Sequence, residues 1–315
     1  MKRALGLDTS NYTTSVAVFD GREGCNQSIL LEVQPGELGL RQSAALFQHI
    51  KHLPECFARL QEQGLLSDIV AVGASTRPRA VVGSYMPCFL AGASQGEGLA
   101  STLSVPFFAN SHQQGHLAAA AWSAGRMELL DAPFLAWHLS GGTTELLRVE
   151  PLGDSLRAEC VGGTSDISAG QFIDRAGVLL DLSFPAGRAL DALYGQGTLS
   201  QGYRVKLDEM TFSLSGMENK VKQMHQQGEA PANIARFVLD TITDVVVRAT
   251  KEGQRRWPGL PVLCSGGVAA NSHLRERMAG ECGALFAQPQ YSTDNAMGSA
   301  ILAWRVLERG SLNAE

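Results

Sequence analysis

Residues 134–149 read FLAWHLSGGTTELLRV. An apolar run is followed by a polar, glycine-containing turn at Ser140–Thr144 and then by a second apolar stretch, which predicts two strands joined by a tight turn. Residues 4–19, ALGLDTSNYTTSVAVF, repeat the same order of strand, polar turn and strand. This recurrence indicates a coarse internal duplication, with one strand-turn-strand unit at the start of each half of the chain.

A third polar turn follows another apolar run late in the chain. Pro261–Cys264 leads into Ser265–Asn271, which contains Gly266 and Gly267, and a helix-forming stretch, Ser272–Met278, comes next. Glycines after a strand allow a ligand to approach the backbone, and a helix N-terminus there favours an anion or a ribose.

Three polar turns that follow strands resemble the actin, Hsp70 and hexokinase (ASKHA) superfamily. That resemblance implies an α/β fold of two related lobes with a nucleotide in an interlobe cleft. We expect one actin-like lobe at residues 1–126 plus 294–315 and the other at residues 127–293.

Composition agrees with a folded, two-lobed chain. The 315 residues are 44% apolar and 18% charged, which argues against disorder and suits more than one core. The formal net charge is −5, so no global basic field drives nucleic-acid binding, although a local basic patch stays open.

Cysteine spacing and hydropathy indicate an intracellular location. The six cysteines form no CxxC pair, so neither a zinc knuckle nor a disulfide framework is indicated. Asp8 ends the first apolar run too early for a signal peptide, and no run reaches the ~18 apolar residues of a membrane helix. We expect a cytoplasmic protein without a membrane partner.

Apolar residues at helical spacing predict core-facing helices rather than functional surfaces. One such stripe comprises Leu46, Ile50, Leu53, Phe57 and Leu60, and a second comprises Ile234, Phe237, Val238, Ile242 and Val245. A last helix is expected at Asp294–Arg309.

His112 and His116 are the first candidates for chemistry. A spacing of four residues places both imidazoles on one helix face, which suits chelation of a divalent metal. Gln113 stands where a zincin peptidase needs its glutamate, which argues against a metalloprotease. A third ligand is needed. The residues alone favour an ordinary acid at a helix start for Asp294, and only the family resemblance given below singles it out as that ligand.

Two other charged groups have both a functional and a plain interpretation. Asp174 is suited to accept two hydrogen bonds from a ribose diol, or it forms an ion pair with Arg175 or Arg188. Arg77 and Arg79 suit a phosphate or RNA backbone, or they belong to a solvated turn.

Seven ordered motifs, from about residue 3 to about residue 305, closely resemble the bacterial TsaD family, formerly described as O-sialoglycoprotein endopeptidase or Gcp. They are Leu5–Ser10 with Thr14–Val18, His112–His116, Ser140–Thr144, Ala169–Gly187, Phe212–Gly216, Gly266–Arg275 and Thr293–Asn295. The family transfers a threonylcarbamoyl group from threonylcarbamoyl-AMP to N6 of adenosine 37 in tRNA (t6A).

The resemblance implies a set of site residues and partners. His112, His116 and Asp294 would hold one divalent ion per chain, iron or zinc, with His138 as a candidate fourth ligand. The adenylate would be held by His138, Leu139, Ser140, Gly141, Gly142, Asp174, Gly187 and Asn271. TsaB-like and TsaE-like proteins are the expected partners beside tRNA.

The chain departs from the family pattern where proton transfer is expected. Asn11, Tyr12 and Thr13 replace Cys-Asp-Glu in the first turn. Gln114 replaces a glutamate, Thr143 replaces a histidine or asparagine, Glu218 replaces a lysine, and Arg77-Pro78-Arg79 replaces Gly-Pro-Gly. These changes leave two alternatives: a paralogue that transfers a carbamoyl or acyl group to another acceptor, or a non-catalytic TsaB-like scaffold. The histidine pair and Asp294 argue against the scaffold, and the histidines argue against a sugar or acyl kinase.

Overall fold

The computed structural model of the chain describes residues 1–10, 12–33, 40–199 and 203–312. Within these ranges the fold is α/β and divides into two compact units, residues 1–130, 151–157 and 293–315, and residues 131–150 and 158–292. No helix in the described ranges combines the length and the apolar character needed to cross a bilayer.

Strands and helices occur at both predicted strand-turn-strand units and at the predicted helical stripes. The strands are β1 Arg3–Asp8, β2 Thr13–Phe19, β3 Gly24–Leu30, β4 Ile69–Arg77, β5 Phe107–Ser111, β6 Phe134–Leu139, β7 Thr144–Leu152, β8 Ser155–Thr164, β9 Leu207–Asp208, β10 Thr211–Phe212, β11 Val262–Ser265 and β12 Leu285–Phe286. The helices are α1 Gln42–Glu62, α2 Phe89–Leu103, α3 His112–Ser123, α4 Ala169–Leu179, α5 Gly187–Tyr194, α6 Ser215–Gln226, α7 Pro231–Arg256, α8 Ser272–Cys282 and α9 Met297–Leu312.

The sheet of the first unit has the order β3-β2-β1-β4-β5. β1 is antiparallel to β2 but parallel to β4, and β4 is parallel to β5. The carboxyl ends of β1, β4 and β5 therefore lie at one edge of the sheet. This edge carries Asp8, Arg77 and Ser111.

The sheet of the second unit has the order β12-β11-β6-β7-β8-β10-β9. Its first strand, β6, is likewise antiparallel to the next strand, β7, and parallel to a later one, β11. The two sheets thus share one topology around their first strands, which confirms the internal duplication predicted from residues 4–19 and 134–149.

Helix α9 packs closely against the first sheet because two strand positions are glycine. A Cβ at Gly6 would lie 2.4 Å from the carbonyl oxygen of Ala296, and one at Gly73 would lie 2.4 Å from that of Ser299. This close approach fixes the start of α9 beside β1. The helix begins at Met297 rather than at Asp294 as predicted, because the side chain of Asn295 accepts the Met297 N–H at 3.1 Å and holds a turn before it.

The predicted buried face is right for α7 and partly wrong for α1. In α7 the whole predicted stripe is buried. In α1 the buried face contains Leu53 and Leu60 but also His49, whereas Ile50 is 49% exposed. A hydrogen bond of 2.8 Å between Thr14 Oγ1 and His49 Nδ1 makes this polar side chain acceptable in the core, which apolar periodicity does not detect.

Residues 151–157 belong to the first unit although they lie inside the range predicted for the second lobe. The side-chain amide of Gln114 donates to Ser155 Oγ and to the carbonyl of Leu156, both at 2.7 Å. The division into two functional lobes, residues 1–126 plus 294–315 and residues 127–293, remains a prediction.

Candidate functional site

His112 and His116 lie one turn apart at the start of α3, on a helix as predicted. The helix starts directly after β5 with a capping box in which Ser111 Oγ accepts the Gln114 N–H and Gln114 Oε1 accepts the Ser111 N–H. Gln114 also donates its amide N–H groups to Ser155 and Leu156, which a carboxylate at this position could not do. The glutamine that replaces the expected glutamate therefore has a structural role.

The three predicted metal ligands converge. His112 Nε2 lies 2.9 Å from His116 Nε2, and Asp294 Oδ1 lies 3.4 Å from each of these two nitrogens. One ligand atom from each residue lies within 4.8 Å of the others. The side chains of His112, His116 and Asp294 are 20%, 9% and 23% exposed, so the cluster is largely shielded but accessible.

Asp8 is a further member of this cluster that the sequence did not single out. Its Oδ2 lies 2.8 Å from His112 Nδ1, and its Oδ1 accepts the Ser10 N–H at 2.8 Å. The side chain is only 3% exposed. A buried carboxylate on Nδ1 keeps the proton there and leaves Nε2 with a free lone pair for a metal. The one signal in the sequence is the acid at the end of an apolar strand.

The electrostatics of the cluster favour a cation. Burial lowers the pKa of His112, but the carboxylates of Asp8 and Asp294 outweigh burial and raise it to about 10. Burial raises the pKa of Asp294, yet His112 and His116 hold it well below the usual range of a carboxyl group. The pKa of Asp8 is likewise lowered, against burial, by His112. The buried carboxylate of Asp8 and the largely shielded carboxylate of Asp294 therefore face imidazole nitrogens, an arrangement that suits a proton or a metal cation on those nitrogens.

The donor set fits a divalent transition metal. Two imidazole nitrogens and one carboxylate oxygen are the ligands that iron and zinc accept in open catalytic sites. The Asp8–His112 contact supplies the outer hydrogen bond that orients a ligating imidazole. His138, the candidate fourth ligand, lies on β6 in the second unit, and its ligand role stays a prediction.

A cavity of about 370 Å³ in the second unit contains half of the predicted adenylate residues. Gly141, Asp174, Gly187 and Asn271 line it, whereas His138, Leu139, Ser140 and Gly142 are not among its lining residues. The cavity is also lined by residues outside the predicted adenylate set, namely Gly170, Ile173, Pro185, Arg188, Asp191, Gly267, Val268 and Ala270, of which Gly267, Val268 and Ala270 belong to the turn predicted to favour an anion or a ribose.

Glycine contacts bring the walls of this cavity together. β6 and β11 are parallel neighbours, so the turns after them lie side by side. Gly266 has φ +97°, and a Cβ there would lie 2.1 Å from the carbonyl oxygen of Leu139. A Cβ at Gly170, on the first turn of α4, would lie 2.5 Å from the carbonyl oxygen of Ser140. The backbones of Leu139 and Ser140 therefore pack directly against Gly266 and Gly170, next to the cavity wall.

The polar side chains of the cavity are partly engaged within the protein. Asp174 Oδ1 accepts the Ala186 N–H at 2.8 Å. Asn271 caps α8 by accepting the Leu274 N–H and donates to Asp191 at 2.7 Å. Asp191 also accepts the backbone and hydroxyl donors of Ser272. Direct adenylate contacts by Asp174 and Asn271 stay a prediction, while the structure gives Asn271 and Asp191 a positioning role.

The ion pairs considered for Asp174 are not among those of the described residues. Arg175 instead donates to Glu218, which also pairs with Lys222, both at 2.6 Å. These two cations lower the pKa of Glu218. The negative charge that replaces the expected lysine is therefore neutralised locally.

A comparison with known proteins identifies the family. The family model for TsaD, tRNA N6-adenosine threonylcarbamoyltransferase, matches residues 37–301. The chain belongs to the TsaD family. A Thermus thermophilus protein named tRNA N6-adenosine threonylcarbamoyltransferase is 34% identical over 97% of this chain and 93% of its own length. A Streptococcus gordonii protein of the same name is 31% identical over 88% of this chain and 83% of its own.

Solved structures confirm the ASKHA-type fold. The chain resembles full-length HypF in its phosphate- and nucleotide-bound form with a TM-score of 0.62 and 13% identity, over 98% of this chain and 47% of that one. It resembles the ROK hexokinase of Thermus thermophilus with a TM-score of 0.54 and 16% identity, over 98% and 100% of the two chains. At these identities the likeness concerns the fold alone.

The first turn of this TsaD family member lacks the expected acidic pair. Asn11 lies outside the described residues; Tyr12 directly precedes β2 and Thr13 begins it. Neither side chain is a carboxylate base near neutral pH. Thr9 is buried and fixes the turn by donating to the Cys88 carbonyl at 2.9 Å and accepting the Gly92 N–H at 3.0 Å. The nearest acid in sequence, Asp8, is already committed to His112.

Proposed function

We propose that this protein transfers a threonylcarbamoyl group from threonylcarbamoyl-AMP to N6 of adenosine 37 in tRNA, with one iron or zinc ion per chain. The observation that carries this proposal is the convergence of His112, His116 and Asp294 in a member of the TsaD family. We also propose that it acts in the cytoplasm, with TsaB-like and TsaE-like partners.

The chain's residues supply binding and orientation for this reaction. The adenylate is already activated: the amine forms a C–N bond to the carbamoyl carbon, the bond to the phosphate oxygen breaks, AMP leaves and one proton departs from N6. The cavity lined by Gly141, Asp174 and Gly187 is large enough for a nucleoside monophosphate. A divalent ion on the two histidines and Asp294 would supply a Lewis acid for the charge that develops on the carbamoyl oxygen.

A metal-loss experiment tests the proposal. Purified protein is incubated with threonylcarbamoyl-AMP and unmodified tRNA, with and without TsaB-like and TsaE-like proteins, and nucleoside analysis measures t6A. His112→Ala with His116→Ala should remove both the metal and the transfer while adenylate binding persists. The matched control is His225→Ala, an exposed histidine on α6. Unchanged metal content in the double variant would contradict the metal assignment.

A second candidate is favoured by the first turn. Tyr12 and Thr13 provide no carboxylate to accept the N6 proton, which suits a paralogue that transfers a carbamoyl or acyl group to an acceptor other than tRNA. This candidate predicts turnover of the adenylate by a metal-loaded protein that leaves tRNA unmodified, even with both partners present. The same assay therefore separates the two.

A further inference from the structure

The loop of residues 77–88 joins β4 to α2 beside the metal cluster, and both of its ends are fixed there. At the start, Arg77 is in register with Ser111, and the carbonyl of Pro78 accepts the Gln113 N–H at 3.1 Å. At the end, the Cys88 carbonyl accepts the Thr9 hydroxyl. The next residue, Phe89, places its ring 6.2 Å from the ring of His112. We refer to residues 77–88 as the flanking loop.

The flanking loop holds its own shape and exposes apolar side chains. Ser84 Oγ accepts the Arg79 N–H at 3.0 Å, and the Ser84 N–H donates to the Val81 carbonyl at 3.2 Å. Even so, Val82 is fully exposed, Val81 is 58% exposed and Tyr85 is 63% exposed. Apolar groups left in water next to a reaction centre indicate a surface that is covered when a partner binds.

The positive charge of the flanking loop indicates an anionic partner. Between Asp68 and Glu97 the only charged residues are Arg77 and Arg79, in a chain whose net charge is −5. Both arginines are exposed. The cluster beside them contains two carboxylates, Asp8 and Asp294, which repel phosphates. A phosphate-containing acceptor that binds near the metal cluster needs cations close by, and the flanking loop provides two, Arg77 and Arg79.

We propose that the flanking loop binds the single-stranded RNA of the acceptor, with Arg77 and Arg79 against its phosphates and Tyr85 stacked on an unpaired base. The inference rests on the proposed function, because it takes the acceptor to be RNA. Single-stranded RNA is typically recognised by arginines on the backbone and by aromatic rings on splayed bases. The exposed valines contact the same bases and ribose faces.

RNA binding by the metal-loaded protein tests the inference. The probe is a fluorescent anticodon stem-loop RNA, and anisotropy gives its dissociation constant over a range of salt concentrations. Arg77→Ala with Arg79→Ala should weaken binding about tenfold near 0.15 M salt and lower the slope of log affinity against log salt by about 1.4. Tyr85→Ala should weaken binding about fivefold or more, and Tyr85→Phe should restore most of it.

Matched controls separate this effect from a general loss of charge or of fold. Arg255→Ala with Arg256→Ala removes the same charge from an exposed pair at the end of α7 and should leave RNA affinity unchanged. Metal content, adenylate binding and the melting temperature of the loop variants should match those of the wild type. These readouts confirm that the loop variants fold and keep the metal and adenylate sites.

The outcomes distinguish the inference from the function on which it rests. If the wild type forms t6A but the loop variants keep full RNA affinity and salt dependence, the inference is overturned and the function stands. If the wild type binds the RNA through the loop but forms no t6A, the inference holds and the proposed function fails. Loop variants that keep RNA binding but lose a protein partner would show that the loop is a protein interface, which also overturns the inference.

Discussion

The substitution Asp8→Asn tests the Asp8–His112 contact without a change of size. In the wild type the carboxylate accepts from both His112 Nδ1 and the Ser10 N–H, each at 2.8 Å. An amide has one acceptor oxygen, so only one of these bonds survives. If the amide nitrogen faces His112, the imidazole must accept at Nδ1 and carry its proton on Nε2. That tautomer removes one of the three metal ligands.

The expected loss of metal affinity follows from this change of the His112 tautomer. Asp8 is 3% exposed, so solvent cannot replace the missing acceptor. A lost hydrogen bond with a buried partner left unsatisfied costs about 1–3 kcal/mol. Loss of an outer-sphere partner of a metal ligand typically lowers metal affinity 10- to 100-fold, which is about 1.4–2.7 kcal/mol and agrees with this range. We therefore expect a 10- to 100-fold rise in the metal dissociation constant.

Isothermal titration of the metal-free protein with Zn²⁺ or Co²⁺ measures this change. The control is Asp20→Asn, because Asp20 also accepts two backbone N–H groups, from Arg22 and Glu23, on a turn remote in sequence from both histidines. The control should keep wild-type affinity. A folded Asp8→Asn variant with wild-type metal affinity would refute the reasoning about the tautomer.

Three further predictions concern pH, the cavity wall and the first turn. The pKa of His112 is raised to about 10 from an ordinary 6.5, so in the metal-free protein its contribution to stability is complete below pH 6.5 and is lost as the pH rises to 10. Between these pH values the melting temperature of the metal-free wild type should therefore fall by more than that of His112→Asn. Equal falls would contradict this prediction. Gly266→Ala should lower the free energy of unfolding by about 2 kcal/mol or more and weaken adenylate binding, because the new Cβ would lie 2.1 Å from a carbonyl oxygen. Gly267→Ala, whose Cβ would lie in open space, should change the free energy of unfolding measured by calorimetry only slightly. Tyr12→Asp with Thr13→Glu should raise the rate of t6A formation about 10²- to 10⁴-fold over a slow wild type. If the variant binds adenylate normally but shows no such gain, and the wild type already forms t6A rapidly, the altered turn does not limit catalysis.

Local features of this protein were predictable from the sequence. The strand-turn-strand units at residues 4–19 and 134–149, the helix that carries His112 and His116, and the buried stripe of α7 all follow from periodicity and turn chemistry. These properties depend on residues a few positions apart, which the backbone geometry places together. The position of Asp294 near the histidines followed only from the family resemblance, because no local pattern singles it out.

Only the tertiary structure decided which distant groups meet. Asp8 contacts His112 across 104 positions because parallel β1, β4 and β5 end at one sheet edge. The same edge places Arg77 next to Ser111 and so brings the flanking loop to the metal cluster. Likewise, the burial of His49 was invisible to apolar periodicity, since a hydrogen bond to Thr14 on another element makes it acceptable. Pairings of this kind depend on strand register and helix packing, which couple residues far apart in the chain and leave no repeat within it.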